Sequence, residues 1–455
     1  MEAVGGRHAA TTRARGGLRR VLTATAGAAG AGACFAAGFA TGFASPISPA
    51  DVAVASVVTA PPPATAGVSA SESPPLTEAT DGPKPTAETA DTSWLQVIQA
   101  EARVKDDGPR GDVRPGRTVS ILGVGDILTH KEILAQAVDD AAGASPADFA
   151  PQLQGVEGLV SSADLAVCHM EYPMGTAEGP WTAWPGIPDA PPQLAEAVAS
   201  VGFDACSTAS NHVLDQGFDG LTRLLDGLDA QGLAHAGTAR TREEAAEPTI
   251  IDVNGVPVAL LSYSYSLNGI PCPVGQEWCA NLIDVDRVIG EAELARSLGA
   301  RLVVLSLHAG DEGVTAPSAQ QLDVIQQVAD SGQVDLVLGH HVHVVQPVDR
   351  VGSMWVVYGH GNLLTAQSRK DPRSGDGLIS MFTFTEQEDG SFVPTDAVGY
   401  VVHNDDFPFR LSLVPDESAR TWEQVATWDR TEPAVMGYGA GEKGFRLLPW
   451  GGPTL

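Results

Sequence analysis

The sequence predicts one large α/β domain, and two observations carry that reading. From about residue 117 onward, short apolar runs of strand length alternate with stretches of helical periodicity. Five of those runs end at Asp, Glu, Asn or His, the strand end at which open α/β sheets build their sites. Residues 119–125 meet Asp126, residues 164–169 lead to Glu171, and residues 204–210 end at Asn211-His212. Residues 301–307 run into His308, and residues 334–338 are followed by Gly339-His340-His341-Val342-His343. Two imidazoles at i and i+2 after an apolar run point to a metal, with Gly339 expected to turn the backbone so that they converge.

The connecting segments read as helices. Pro191-Pro192 predicts a helix over 191–198 with prolines in its first turn. Leu221, Leu224, Leu225 and Leu228 form one apolar stripe. Leu322, Ile325, Val328 and Ala329 form another, opened by Ser318 with Gln321 in capping-box spacing and closed near Gly332. Strands return at 378–384 and 397–402, and no internal repeat is visible. The domain is predicted over 116–410, with an irregular, tryptophan-containing C-terminal extension over 411–455.

The N-terminal quarter is different in kind. Arg13, Arg15, Arg19 and Arg20 precede an uncharged run over 21–44, the composition of an export signal. The run is long enough to span a bilayer, yet its glycines and alanines make it weakly hydrophobic. Residues 1–44 are therefore expected to be either a cleaved signal or a retained membrane anchor. Cys34 lacks the apolar residue that a lipoprotein cleavage site carries three positions earlier, and Arg19-Arg20 is too short to define a twin-arginine signal. Residues 45–115, rich in Pro, Ala, Thr, Ser and acidic side chains, are predicted to be a disordered linker, interrupted by a short helix around 93–99. The expected location is the extracellular side of the cell membrane, anchored or secreted.

The excess of 56 acidic over 27 basic residues, a formal charge of -29, excludes nucleic acid as a partner. Five cysteines are too few for a disulfide framework in a chain of this length. Cys272 and Cys279 flank a short Pro/Gly-rich loop that a disulfide would close, stabilising by about 2 kcal/mol. Cys168 and Cys206 lie within apolar strands and are expected to be buried free thiols.

A two-metal site needs anionic ligands, neutral nitrogen ligands and a carboxylate able to bridge. Asp126, Glu171, Asn211, His308, His341 and His343 supply that set, which suits Mn, Fe or Zn rather than Ca. The motifs Val124-Gly125-Asp126, His169-Met170-Glu171, Ser210-Asn211-His212 with Asp215 and Gly217, His308-Ala309-Gly310-Asp311-Glu312, Gly339-His340-His341-Val342-His343 and Tyr358-Gly359-His360-Gly361-Asn362 follow one another along the chain. In kind and order they resemble the motifs of the CapA family, poly-γ-glutamate capsule synthesis proteins with a metallophosphatase-like fold. The resemblance covers most of residues 117–400.

It implies a four-layer αββα sandwich of the calcineurin-like metallophosphatase type with two divalent metal ions. Carried across residue by residue, Asp126 and His343 hold one metal, Asn211, His308 and His341 the other, and Glu171 bridges. His212 faces the substrate as general acid, oriented by Asp215, and Glu312, Tyr358 and Asn362 line the pocket. Two positions depart from pattern. Asp126-Ile127-Leu128 stands where metallophosphoesterases carry Asp-x-His, so the first metal loses a ligand, and His169 stands where the family usually has Asn. His169 is read in two ways, as a replacement nitrogen ligand or as a side chain packed on its strand. Trp181 and Trp184 likewise either rim the site or pack on the domain surface.

By this resemblance the protein makes or processes an extracellular anionic polymer of poly-γ-glutamate type, through metal-dependent hydrolysis or transfer. The bond attacked is a phosphoester or a γ-glutamyl bond. Two other readings stand beside it: an extracellular metallophosphodiesterase, and a non-catalytic accessory subunit that binds polymer or joins a membrane synthase. The expected partners are the polymer or its precursor, synthase subunits, and the membrane through the N-terminal segment.

Overall fold

The computed structural model describes residues 113–183 and 186–451. The predicted export segment, the linker, the helix around 93–99 and Trp184 lie outside these residues.

The apolar runs assemble into two sheets. The chain first lays down β1 (Thr118–Ile127), β2 (Leu165–Met170), β3 (Ala205–Ser207) and β4 (Ala234–Ala236), each parallel to the one before. It then builds a second sheet from β5 (Thr249–Val253), β6 (Val256–Ser264), β7 (Leu302–His308), β8 (Leu336–His340), β9 (Val348–Val351) and β10 (Met354–Val357), in the order β5-β6-β7-β8-β10-β9. The chain returns to the first sheet with β11 (Asn362–Leu364), β12 (Asp376–Glu386), β13 (Phe392–Asp406), β14 (Phe409–Leu413) and β15 (Arg446–Leu448). That sheet runs β14-β13-β12-β1-β2-β3-β4, with β11 against β1 and β15 against β13. Because β1, β2, β3, β7 and β8 all sit in parallel ladders, their C-terminal ends gather at one edge of the molecule.

Three apolar layers fill the spaces between four structural layers. Between the sheets lie Ile121, Val167, Leu260, Val304, Leu338 and Phe382. Helices α1 (Lys131–Asp140), α2 (Gln193–Ser200) and α3 (Gly217–Ala230) cover the outer face of the first sheet through Ile133, Leu194, Val198, Leu221, Leu224 and Leu228. Helices α4 (Val285–Ser297) and α5 (Ala319–Ser331) cover the second through Val288, Ala292, Val324, Ile325 and Val328. The predicted αββα sandwich is the observed fold. Each fully buried Leu, Ile or Val contributes about 1.5–3 kcal/mol, so these layers dominate stability.

Several expectations need correction. The prolines precede α2 rather than occupy its first turn, with Pro192 at the N-cap. Leu322 is 40% exposed. The inward stripe of α5 runs through Val324, Ile325 and Val328, one step round the helix, while the Ser318–Gln321 capping box and Gly332 bound it as expected. Cys168 and Cys206 are not free thiols. They are register partners on adjacent strands and form a disulfide across β2 and β3, their Cα atoms 4.4 Å apart. Cys272–Cys279 closes the short loop as the sequence indicates.

The tail is not irregular. Helix α6 (Trp422–Met436) opens with a Thr421–Gln424 capping box, and β15 joins the edge of β13. Residue 410 lies inside β14, so the predicted boundary there cuts a strand. Phe445 inserts between the sheets, its ring centroid 6.1 Å from Trp355 of β10 and 6.2 Å from Phe382 of β12. Phe445→Ala is expected to cost about 3–5 kcal/mol by the cavity it leaves, read as a lowered urea midpoint in equilibrium unfolding. A midpoint equal to wild type would show that the tail does not belong to the core.

Candidate metal centre

Strand ends place the site. Asp126 is the penultimate residue of β1 and His169 of β2, while His308 and His340 are the last residues of β7 and β8. Gly339 does not make the turn expected of it. It lies inside β8, where a Cβ would come within 2.0 Å of the Tyr358 carbonyl oxygen, so glycine is required for close strand packing. The turn falls to His341 (φ 86°) and His343 (φ 55°), two non-glycine residues in the left-handed region. Strain of that kind at a cluster of imidazoles is the sort that functional sites retain.

The Asp126 carboxylate, fully buried, joins the two sheets. His340 Nδ1 donates to its Oδ1 at 3.1 Å, the His341 N–H donates to Oδ2 at 3.0 Å, and His343 Nδ1 lies 3.2 Å from Oδ2. His308 Nε2 is 2.7 Å from Asn211 Oδ1, and its Nδ1 is 2.9 Å from His169 Nε2. Glu171 lies 3.7 Å from His343 Nε2. Both of its carboxylate oxygens, with His341 Nδ1 and His340 Nε2, are buried without a hydrogen-bonding partner. Unpartnered acceptors are costly in a protein interior. Asp126, His169, Glu171 and His308 moreover offer ligand atoms all within 4.8 Å of one another. The donor set fits a divalent cation.

Above this cluster opens a cavity of about 370 Å³ lined by Tyr172, His212, Glu312, Gly313, His343, Gln367, Lys370, Asp371 and Ser374. His212 Nδ1 donates to Asp215 Oδ2 at 2.7 Å, and its Nε2 lies 4.0 Å from Glu171. Gly217, which opens α3 behind this pair, has φ 64° and so favours glycine.

Burial and neighbouring charge set the protonation states. Burial pushes the Glu171 carboxyl up to about 8, against the pull of His343. Burial opposes protonation of His343, yet the carboxylates of Glu171 and Asp126 outweigh it and hold that imidazole at about 10. Burial and the charge of His343 bring His341 down to about 4. Burial, then the crowding of other imidazoles, holds His169 and His308 well below the usual histidine range. His212 moves upward because Asp215 and Glu171 outweigh its burial.

All six residues expected as ligands converge here, and so do His212 and Asp215. Glu312 lines the cavity. Asn362 lies beneath it, fully buried, where its Oδ1 accepts from His343 Nδ1 at 2.9 Å and its Nδ2 donates to the Ser374 carbonyl at 2.8 Å. Tyr358 stands apart, buried in the layer between the second sheet and its helices, its ring 5.8 Å from that of Tyr438. Trp181 packs against the apolar layer under the first sheet. His340, which adjoins the candidate ligands His341 and His343, had no role in the sequence reading. Tyr172, edge-on to His212 at 5.3 Å, Tyr265, 4.5 Å from His341, and Lys370 carried no signal, because folding alone brings them to the site.

Fold and cluster together define the class: an αββα sandwich with buried carboxylates and imidazoles, suited to a divalent cation, at its strand ends. Residues 120–367, more than half of the chain, match the bacterial capsule synthesis protein family PGA_cap, and the chain belongs to that family. It is 26% identical over 178 residues to the capsule biosynthesis protein CapA of Bacillus anthracis, covering 38% of this chain and 43% of that protein. It is 24% identical over 198 residues to the PGA biosynthesis protein CapA of Bacillus subtilis (strain 168), covering 43% and 50%. The chain thus spans about half the length of the curated relatives it matches. Among solved structures, the calcineurin-like phosphoesterase YfkN of Bacillus subtilis aligns with a TM-score of 0.36 at 15% identity, over 70% of this chain and 97% of that one. That likeness bears on neither substrate nor mechanism.

Because Glu171 and His343 both hold protons near neutrality, a divalent cation must displace them to use these side chains as ligands. Each ligates only after losing its proton, so affinity is expected to rise with pH, about a hundredfold per unit below about 8, where both are protonated, and about tenfold per unit above it, where His343 alone still is. Mn²⁺ titrations between pH 6 and 9, with proton release followed by a pH indicator, check this. Affinity independent of pH would show that Glu171 is not a ligand.

Proposed function

We propose that this chain is a cell-surface protein that hydrolyses or transfers a bond in an extracellular anionic polymer of the poly-γ-glutamate type, or in its precursor. It would use two divalent cations, Mn, Fe or Zn, held by Asp126, Glu171, Asn211, His308, His341 and His343. The observation that carries the reading is the His212–Asp215 pair, 2.7 Å apart, with His212 on the wall of the cavity and its Nε2 4.0 Å from the buried carboxylate of Glu171. The names of the Bacillus relatives, which refer to capsule and PGA biosynthesis, supply the polymer. The N-terminal composition supplies the location and the attachment to membrane or synthase.

The cations would supply Lewis-acid stabilisation of charge on the attacked group. The side chains do the rest. Asp215 accepts from His212 Nδ1 and so aims Nε2 into the cavity, where an Nε2 proton is available to a leaving oxygen or nitrogen. The upward shift of His212, from the pull of Asp215 and Glu171 against its burial, favours that proton. Asn362 holds His343 from below. Lys370, exposed at the cavity wall, is placed to meet a carboxylate or phosphate, the local patch that a chain of charge -29 needs in order to hold a polyanion.

One observation favours an accessory, non-catalytic reading. Leu128, fully buried, occupies the position at which metallophosphoesterases carry a ligand histidine. A relative from Mycobacterium tuberculosis is named "Probable polyglutamine synthesis accessory protein". The test is hydrolysis of poly-γ-glutamate and of phosphodiesters by the full chain loaded with each cation. His212→Ala is expected to lower the rate about 10²–10⁴-fold with metal content unchanged by elemental analysis. The wild-type rate should fall as pH rises through the value for His212, on the high side of 6.5. Polymer binding without hydrolysis, unaffected by His212→Ala or chelation, would favour the accessory role instead.

A further inference from the structure

We infer that His169 is a positioning residue that sets the tautomer of His308, turning the Nε2 lone pair of His308 toward Asn211 so that the two can share one cation. The inference rests on the metal-binding reading above, but its logic begins one layer below the proposed ligands, at a backbone carbonyl.

The carbonyl oxygen of Cys168 can only accept. Ser207 Oγ lies 3.3 Å from it and directs its single hydrogen there. The same Oγ is 2.8 Å from His169 Nδ1, and with its own hydrogen engaged it accepts, so the proton of His169 sits on Nδ1. His169 is fully buried, with the His340 and His308 rings at centroid distances of 4.0 and 4.9 Å, surroundings that favour a neutral imidazole. Its Nε2 is therefore a lone pair, and it faces His308 Nδ1 at 2.9 Å. His308 must donate there, which leaves the lone pair of His308 on Nε2.

That lone pair points at another acceptor. Asn211 Oδ1 lies 2.7 Å from His308 Nε2, while Asn211 Nδ2 donates to Asn268 Oδ1 at 3.2 Å. Two acceptors at that distance repel unless a cation lies against both. Adjacent ligands on a cation with bonds of about 2.0–2.2 Å are about 3 Å apart when they subtend a right angle. A chain of directed hydrogens, Ser207 to Cys168 O, His169 to Ser207 and His308 to His169, thus orients a metal ligand from beneath, as hydrogen-bonding partners of metal-bound histidines do elsewhere. The residues of this chain are register neighbours: His169 pairs with Ser207 in the parallel ladder, one step beyond the disulfide-linked pair Cys168 and Cys206. The crosslink holds β2 against β3 where the His169–Ser207 spacing matters.

The test uses the full chain labelled with ¹⁵N-histidine. Long-range ¹H–¹⁵N spectra of the metal-free protein are expected to show both His169 and His308 protonated on Nδ1. In His169→Phe, which has no acceptor, His308 is expected to move to the Nε2-protonated tautomer, and Mn²⁺ affinity to fall about 10–100-fold at unchanged stoichiometry. His169→Gln, which retains an acceptor oxygen, should recover part of that loss. Ser207→Ala should shift the His169 tautomer and weaken Mn²⁺ binding less, and it carries the test if His169→Phe does not fold.

Two outcomes overturn the inference. Loss of a metal equivalent, or of one ¹⁵N histidine coupling in the electron–nuclear double resonance spectrum of bound Mn²⁺, on replacing His169 would make it a direct ligand. An unchanged His308 tautomer and unchanged affinity would make it a packing residue. If the wild-type chain binds no divalent cation at all, the proposed function fails, and the metal-free tautomer spectra still decide the role of His169.

Discussion

The buried carboxylate of Asp126 is the interaction on which the site depends. It ends a strand of the first sheet and accepts hydrogen bonds from His340 and from the His341 backbone, both on the second sheet's β8 and its loop. An ionised group removed from water is tolerated only when its lone pairs are satisfied. Here its satisfaction requires the two sheets to align their strand ends. Burial raises the cost of its charge, yet the histidines around it hold it well below the usual carboxylate range. The same contacts fix where His341 and His343 turn, at positive φ. Core packing brings the sheets together, and Asp126 sets their register at the functional edge.

Beneath and above that carboxylate the chain divides its polar groups. The lower layer, with Ser207, His169, His340, His360 and Ser380, lies between the sheets and is largely closed by its own hydrogen bonds: His360 Nδ1 is 3.1 Å from the Gly339 carbonyl and its Nε2 2.8 Å from Ser380 Oγ. The upper layer holds Glu171, His341 and His212: the Glu171 oxygens and His341 Nδ1 lack hydrogen-bonding partners, and His212 lines the cavity. A lower layer closed except at His340 Nε2, beneath Glu171 oxygens and a His341 Nδ1 that lack hydrogen-bonding partners, lets the upper groups keep positions that they could not hold alone, as a preorganised site requires.

Much of this was legible in the chain. The strand ends at Asp126, at His308 and just before His341 stood out because apolar runs that stop at residues of metal-ligating type are a local pattern, and His212, Asp215 and Gly217 stood out because they fall within six residues of sequence. The tail was not legible. The residues that make α6 a helix, Thr421 and Gln424, are a capping box without a strong apolar stripe behind it, since only Thr427, Thr431 and Val435 face inward. Leu322 misled for the related reason that one apolar residue adjoining a stripe does not reveal on which side of it the core lies. The free-thiol reading of Cys168 and Cys206 failed because a cross-strand pair is created by register, and residues 38 apart carry no trace of it.

The sequence by itself determined the class of the fold, the order of the strands that end at candidate ligands and the kinds of side chain those ends offer, because periodicity and side-chain chemistry are properties of neighbouring residues. The tertiary structure alone decided that Asn362 lies against His343 and His169 against His308, that Tyr358 belongs to the core, and that Lys370 reaches the cavity. Those outcomes depend on distances between strands far apart along the chain. Burial of the apolar layers sets those distances, and no local pattern encodes them.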